Sequence, residues 1–362
     1  MKKIKLKLKE NTYEIIIATD LLRKAGLFIS KLGMGTHAYV ITNDIINKNY
    51  GKILKASLGK KKIVSTFRLV KDSEKAKSIY ICIRLIRDIL KFEKTLDTFI
   101  IALGGGVVGD LAGFVASIYK RGIPYIQIPT TLFGQIDSGI GGKTAVDLKE
   151  AKNMIGTFYQ PALVLNDISL LKTLNIRQMR SGIAEAIKYG IIKDGFILDY
   201  IERYFKDIMI FEEGILEKLV YRCAKIKVRI VELDEKEKNN IRTILNFGHT
   251  VGHALEAASG YRLYTHGEAV GIGMLVALYI GLKLRITAYE LFNRVEYLMR
   301  KIELPLKIDQ RISVDKIIQA YYYDKKFKAQ KNRFVLVENI GKTIIKEDIP
   351  LFLVREAIER FY

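Results

Sequence analysis

The chain of 362 residues has no tryptophan, two cysteines, five prolines and four histidines. Two cysteines cannot build the disulfide framework of a small secreted domain. Cys82 and Cys223 read as free thiols of a reducing compartment. Five prolines beside 49% apolar residues exclude collagen-like and disordered compositions, and leave enough apolar surface for a sizeable core. Long hydrophobic runs are missing too. The longest uncharged apolar stretch, 269–282, falls short of the roughly 18 residues that mark a membrane span. The lysine-rich start alternates with apolar residues where a secretion signal needs a continuous apolar run. These features predict a cytoplasmic protein with no membrane partner. Acidic residues are scarce as well, so the formal net charge is +21. Such a charge favours anionic partners. Runs such as Lys60-Lys61-Lys62 read as solvated faces, and no interleaved aromatic motif accompanies them, so nucleic acid is not expected.

The order of apolar residues predicts the elements. Residues 4–17 alternate, with Ile4, Leu6 and Leu8 before a turn near Asn11 and Tyr13, Ile15 and Ile17 after it, which predicts a hairpin. Residues 38–42, 98–103, 125–128 and 162–165 are short apolar runs typical of buried strands. Between them, 79–90 places Ile79, Ile83, Ile86 and Leu90 at helical spacing. This alternation predicts an α/β domain with a largely parallel sheet. After about residue 175 strand signals nearly vanish. Helical periods cover 176–205, 213–232, 243–259 and 266–301, and only 333–337 reads as a late strand. The expected organisation is an α/β domain over 1–175 and a mostly α-helical domain over 176–362.

Gly104-Gly105-Gly106-Val107-Val108-Gly109-Asp110 follows the run 98–103 and opens a helical stretch. Glycines there let a backbone approach a pyrophosphate, and the free N–H groups of a helix start favour negative charge. The ordinary dinucleotide fingerprint is incomplete, because Ile128, Pro129 and Thr130 stand where an acidic residue belongs. A tight turn without a ligand would share this spacing. A second glycine-rich segment, 135–147, ends in Gly141-Gly142-Lys143-Thr144. Asp137 occupies the position of the first glycine of an ATP-binding loop, so ATP hydrolysis is rejected.

Three of the four histidines cluster. His249 and His253 are at i, i+4 on one helical face, and His266 heads the next helical stretch. Such a set can share a divalent cation. Spacing leaves the third ligand open between His253 and a distant carboxylate. Glu185, in an apolar helix with Lys188 three residues on, is a candidate, although such pairs are more often surface salt bridges. His37 has no clustered partner and reads as a surface residue.

Several motifs occur in one order: the glycine turn 104–110, Arg121-Gly122-Ile123-Pro124, Pro129-Thr130-Thr131, segment 135–147, Lys152-Asn153, Ala184-Glu185 with Lys188, the run from Asn246 to His253, and His266-Gly267-Glu268. Together they resemble the 3-dehydroquinate synthases, sugar-phosphate cyclases, over nearly the whole chain. The resemblance implies an NAD-binding α/β domain, a helical domain with a zinc or cobalt site, an active site in the cleft between them, and a homodimer. The implied reaction converts 3-deoxy-D-arabino-heptulosonate 7-phosphate to 3-dehydroquinate and phosphate. It runs through transient oxidation, phosphate elimination, reduction and aldol closure.

The resemblance also implies roles for residues. The metal falls on Glu185, His249 and His266, and His253 becomes a neighbour that moves a proton or holds substrate. NAD falls on Asp72, Glu74 and Lys77, on the turn Gly105, Gly106, Val107, Val108, Gly109 and Asp110, and on Thr130 and Thr131. Leu170, Lys172 and Thr173 complete it, with Lys143 and Lys152 shared with the substrate. Further substrate contacts fall on Asp137, Asn153, Lys188, Lys227, Arg242 and Asn246, with His253 and His266. Lys143, Lys152, Lys188, Glu237 and His253 are the implied catalytic set, with Arg121 reaching in from a partner subunit. Three positions depart from the family pattern: Asn43 for aspartate, Ser73 for glycine and Asp147 for asparagine. The first two bear on the adenosine end of NAD. A related cyclase of secondary metabolism and a metal-dependent polyol dehydrogenase are the alternatives.

Overall fold

Continuous apolar runs such as 38–42 and 98–103 build inner strands of a seven-stranded sheet, because a strand covered on both faces has no polar side to alternate with. The computed structural model describes residues 1–91, 97–148, 152–323 and 332–362. Contacts divide it into two units: Met1–Leu174 with Leu216–Lys236, and Asn175–Ile215 with Glu237–Tyr362.

The first unit opens with β1 (Lys2–Lys7) and β2 (Thr12–Ala18), the expected antiparallel hairpin. Then come α1 (Ala25–Ser30), β3 (His37–Asn43), α2 (Asp44–Ile46), α3 (Lys52–Gly59), β4 (Val64–Val70) and α4 (Ile79–Ile89). After these come β5 (Thr98–Gly104), α5 (Gly106–Ile118), β6 (Tyr125–Pro129), β7 (Lys143–Val146), β8 (Ile155–Phe158) and β9 (Leu163–Asp167). The sheet order is β1-β2-β9-β6-β5-β3-β4, and every pairing is parallel except the opening hairpin. From β3 the chain moves outward to β4, then returns past β3 to β5. Strand order therefore reverses between β3 and β5. In open α/β sheets, ligands bind at the carboxyl ends of the strands at such a reversal.

His37 is not on the surface. It begins β3, is 1% exposed, and places its two ring nitrogens 3.1 Å from Thr98 Oγ1 and 2.9 Å from Thr66 Oγ1 on the neighbouring strands. A lone histidine in sequence gave no sign of two hydroxyls supplied by separate strands. Burial lowers its pKa from 6.5. Below pH 6.5 the unfolded chain binds a proton that the folded chain refuses, so stability falls as pH drops toward the folded pKa. We expect His37→Gln to lose less thermal stability than wild type between pH 7.5 and pH 5. Equal losses would remove this assignment.

The second unit holds α6 (Ile176–Ile192) and α7 (Phe196–Met209), separated by a break at Lys193 in the expected period 176–205. Next is α8 (Glu213–Leu233), then α9 (His249–Ala258), α10 (His266–Lys283), α11 (Tyr289–Lys301) and α12 (Val314–Tyr323). The late strand is present as β10 (Arg333–Asn339), paired antiparallel with β11 (Lys342–Glu347) before α13 (Leu351–Glu359).

Most of α8 belongs with the first unit, unlike a single division at 175. Polar contacts hold it there. Lys7 N donates to Glu232 at 2.8 Å, Gln160 Nε2 donates to Glu235 at 2.9 Å, and Lys227 pairs with Asp137. Helical periodicity identifies the helix but not its neighbours. Both cysteines are buried, and neither is in a disulfide. Among the described residues no helix is long and apolar enough to cross a membrane.

Candidate functional site

Two clusters carry the chemistry, one in each unit. In the first unit, β5 ends at Gly104 and α5 begins at Gly106. Gly105 at the cap position supplies no side chain to the first N–H groups of α5, and residues 105–107 reach the surface. A Cβ on Gly105 would sit 3.1 Å from Thr131 Cγ2, so a larger residue would crowd the turn. The result is an uncapped helix start on the carboxyl edge of the sheet, which suits a pyrophosphate. Thr130 N donates to Gly104 O at 3.0 Å, and Thr131 Oγ1 accepts from Gly134 N at 3.0 Å. Val108 and Gly109 face inward, whereas Val107 and Asp110 are half-buried.

At the neighbouring strand end, Asn43 donates to Asp72 Oδ1 at 2.9 Å and accepts from Ile46 N at 2.9 Å. Asn43 thus caps α2 and fixes Asp72 with one amide group. Beyond β9, Leu170 O accepts from Tyr50 Oη at 3.2 Å, and the same hydroxyl approaches Thr173 Oγ1 at 3.1 Å. Leu170 is buried, while Lys172 and Thr173 are exposed.

Lys77 is 4% exposed, and its Nζ lies 2.6 Å from Asp110 Oδ2 and also pairs with Asn153 Oδ1. Burial pulls the ammonium pKa down, but Asp110, Glu74 and Asp147 outweigh burial and leave it raised. Burial lifts Asp110, with Lys77 opposing, and lifts Glu74, with Lys152 opposing from 3.6 Å. Lys77 therefore ties the 74–78 turn to α5 rather than extending into solvent. Asn153 takes a left-handed backbone at φ 57° and donates its N–H to Asp147 Oδ1 at 2.8 Å. Lys143 opens β7 and is exposed, and Lys227 pairs with Asp137. Arg121 is exposed, in a left-handed turn at φ 66°.

In the second unit, Glu185 and Lys188 lie on the buried face of α6, 0% and 1% exposed, with Nζ 2.5 Å from Oε2. This pair is no surface bridge. Glu185 Oε1 lies 3.7 Å from His249 Nε2 and 3.6 Å from His266 Nε2. The glycines explain the convergence. A Cβ on Gly267 would fall 2.0 Å from Ser181 O, so only glycine lets the start of α10 rest on α6. Gly248, at φ 77°, turns the chain into α9 so that His249 opens the helix. Thr265 and Glu268 form a reciprocal capping box at the head of α10, which holds His266 at its first position.

Both histidines of the trio are oriented from behind. His249 Nδ1 lies 3.0 Å from Phe247 O, and His266 Nδ1 lies 3.2 Å from Glu256 Oε2. Burial lowers the His266 pKa, but Glu256 and Glu185 outweigh it and leave it raised. Neither oxygen of Glu185 has a hydrogen-bond donor in bonding geometry, although both are buried. One carboxylate oxygen and two imidazole nitrogens within 4.8 Å of one another fit a tetrahedral cation, whose ligands stand about 3.4 Å apart at bond lengths of about 2.1 Å. The trio therefore suits a zinc-like ion. His253 is half-buried beside it, with its ring centroid 5.4 Å from His249 and 6.1 Å from His266. Arg242 is buried, with Nε 3.4 Å from Glu237 Oε1, and Asn246 closes the same short turn, half-buried.

Sequence reasoning missed Glu256. Its signal was present, since His249, His253 and Glu256 stand at i, i+4 and i+7 on one helical face.

Comparison with known proteins covers both halves. A family model described as 3-dehydroquinate synthase N-terminal matches residues 67–181, and one described as 3-dehydroquinate synthase C-terminal matches 182–327. The chain is 42% identical over 348 residues to a 3-dehydroquinate synthase of Thermoanaerobacter pseudethanolicus, covering 95% of this chain and 97% of that one. In fold it resembles a 2-deoxy-scyllo-inosose synthase solved with carbaglucose-6-phosphate, NAD+ and Co2+, at TM-score 0.90 and 23% identity over all of both chains. It also resembles a 2-epi-5-epi-valiolone synthase from Streptomyces hygroscopicus, solved with NAD+ and Zn2+, at TM-score 0.88 and 26% identity over 98% of each chain.

Proposed function

The chain belongs to the 3-dehydroquinate synthase family, and from that premise we propose that it converts 3-deoxy-D-arabino-heptulosonate 7-phosphate to 3-dehydroquinate and phosphate as a carbon–oxygen lyase. The observation that carries the reading is that both family models match in succession, with 42% identity across almost the whole chain. The inosose synthase, at 23%, shares the fold and no more.

The uncapped start of α5 and the strand ends around it would hold NAD, which supplies a hydride acceptor that is regenerated within each turnover. Glu185, His249 and His266 would hold a divalent cation, which supplies positive charge that eases ionisation of a substrate hydroxyl.

The remaining work belongs to this chain's side chains. Lys143, Lys152, Lys188, Lys227 and Arg242 would bind the carboxylate and phosphate as fixed positive charge. The buried partners Asp137 and Glu185 hold two of these ammonium groups in place. Asn153 and Asn246 offer neutral donors to substrate hydroxyls. His253 would accept or return a proton at a ring nitrogen, and Glu237 would orient Arg242. In the elimination the C–O bond to phosphate breaks, the oxygen keeps the electron pair, and the departing phosphate takes the proton from the adjacent carbon. Arg121 would serve a second copy of the chain in a cytoplasmic homodimer, where thiols such as Cys82 and Cys223 stay reduced.

The test is product analysis with the heptulosonate phosphate, NAD+ and zinc, following phosphate and NADH together. One phosphate per substrate with no net NADH is expected. Stoichiometric NADH without phosphate would replace this reading with a dehydrogenase. Phosphate release from a different sugar phosphate alone would replace it with another cyclase.

A further inference from the structure

We propose that Glu256 is a positioning residue for the metal site, acting through His266, an inference that rests on the reading of Glu185, His249 and His266 as a metal trio. Glu256 lies on α9, is 8% exposed, and sets Oε2 3.2 Å from His266 Nδ1. The other ring nitrogen, Nε2, faces Glu185 at 3.6 Å. A carboxylate accepts and does not donate, so this contact puts the ring proton on Nδ1 and leaves the Nε2 lone pair for a cation. His249 has the same arrangement with a backbone carbonyl in place of the carboxylate. The two histidines are therefore fixed in one tautomer by different devices. The carboxylate adds negative charge behind His266, which strengthens that nitrogen as a donor.

Glu256 has a second geometric possibility, because its carboxylate, His253 and His266 also come within 4.8 Å of one another. With Nε2 turned to Glu185, a cation held there would need His266 Nδ1, the nitrogen that Glu256 now engages. The positioning role and the ligand role thus exclude each other, and stoichiometry separates them.

The experiment titrates metal-stripped protein with Zn2+ against a chromophoric chelator, and records the visible spectrum of the Co2+ form. Wild type, Glu256→Ala and Glu256→Gln are compared at one pH, with circular dichroism to confirm folding. Wild type is expected to bind one ion per chain. Glu256→Ala is expected to bind Zn2+ about 10- to 100-fold more weakly with an altered Co2+ spectrum. Glu256→Gln, whose amide oxygen still accepts from Nδ1, is expected to recover most of the affinity. Unchanged affinity and spectrum in folded Glu256→Ala would overturn the inference, as would two ions per wild-type chain with one lost in Glu256→Gln. Failure of wild type to bind Zn2+ would instead overturn the metal trio itself.

Discussion

Replacing Glu185 with alanine is expected to destabilise the metal-stripped protein by about 3–5 kcal/mol and to remove its metal binding. The first effect comes from Lys188. Its ammonium is 1% exposed and 2.5 Å from the carboxylate, so removing Glu185 takes a closely paired negative charge away from a buried positive one. The reference is the pair, not the carboxylate alone. Glu185→Ala combined with Lys188→Met removes both charges, and is expected to recover a large part of the loss, since apolar groups can replace a buried ion pair at little cost. Equilibrium unfolding of the two variants measures the difference. The second effect comes from the ligand set. Losing one of three proposed ligands should weaken binding beyond the roughly 10- to 100-fold that follows loss of an outer partner. A single variant as stable as wild type would show that Lys188 does not depend on Glu185.

Gly267→Ala is expected to lower kcat about 100-fold or more and to weaken metal binding, although it adds only one methyl group. That methyl would fall 2.0 Å from the backbone oxygen of Ser181. The backbone of α6 cannot rotate away as a side chain would. The start of α10 must shift by about 1 Å, and a misplacement of that size costs on the order of 100-fold in rate. His266 moves with it, as does the bond from Gly267 N to Ser181 Oγ, now 2.9 Å. Gly271→Ala is the control. It lies one turn further along α10, and its Cβ would meet only Leu304 Cδ1 at an ordinary 3.5 Å. This variant should keep its metal and rate, and gain up to about 1 kcal/mol from helix propensity. Equal behaviour of the two variants would dismiss close helix approach as the device that assembles the trio.

Much of the architecture was legible because its signals are local. A parallel strand covered on both faces is a continuous apolar run, and β3, β5, β6 and β9 were visible as such. The break between α10 and α11 was not visible. No glycine or proline falls within 284–288, and the reversal depends on Arg285 at φ 56° and on Ile286 N and Thr287 N both reaching Gly281 O. At the site, three clustered histidines announced a cation, but spacing could not choose Glu185, which lies 64 positions before His249 in the chain. The motif resemblance supplied that choice. Residue type also hid the different uses of lysines. Lys77 is internally engaged with Asp110, and Lys143 is exposed, yet nothing in the sequence separates the two. Glu256 went unread because a carboxylate one turn from a histidine is usually an ordinary helix surface pair.

The return of Leu216–Lys236 to the first unit sets the order in which the nascent polypeptide can mature. While the ribosome is still translating α6 and α7, the earlier half has its sheet but lacks one of its helices. The partner that Asp137 meets in the finished protein, Lys227, is 90 residues away along the chain. Synthesis must pass residue 236 before that half can close. A fragment cut after 174 is therefore an incomplete body and not an autonomous nucleotide-binding module.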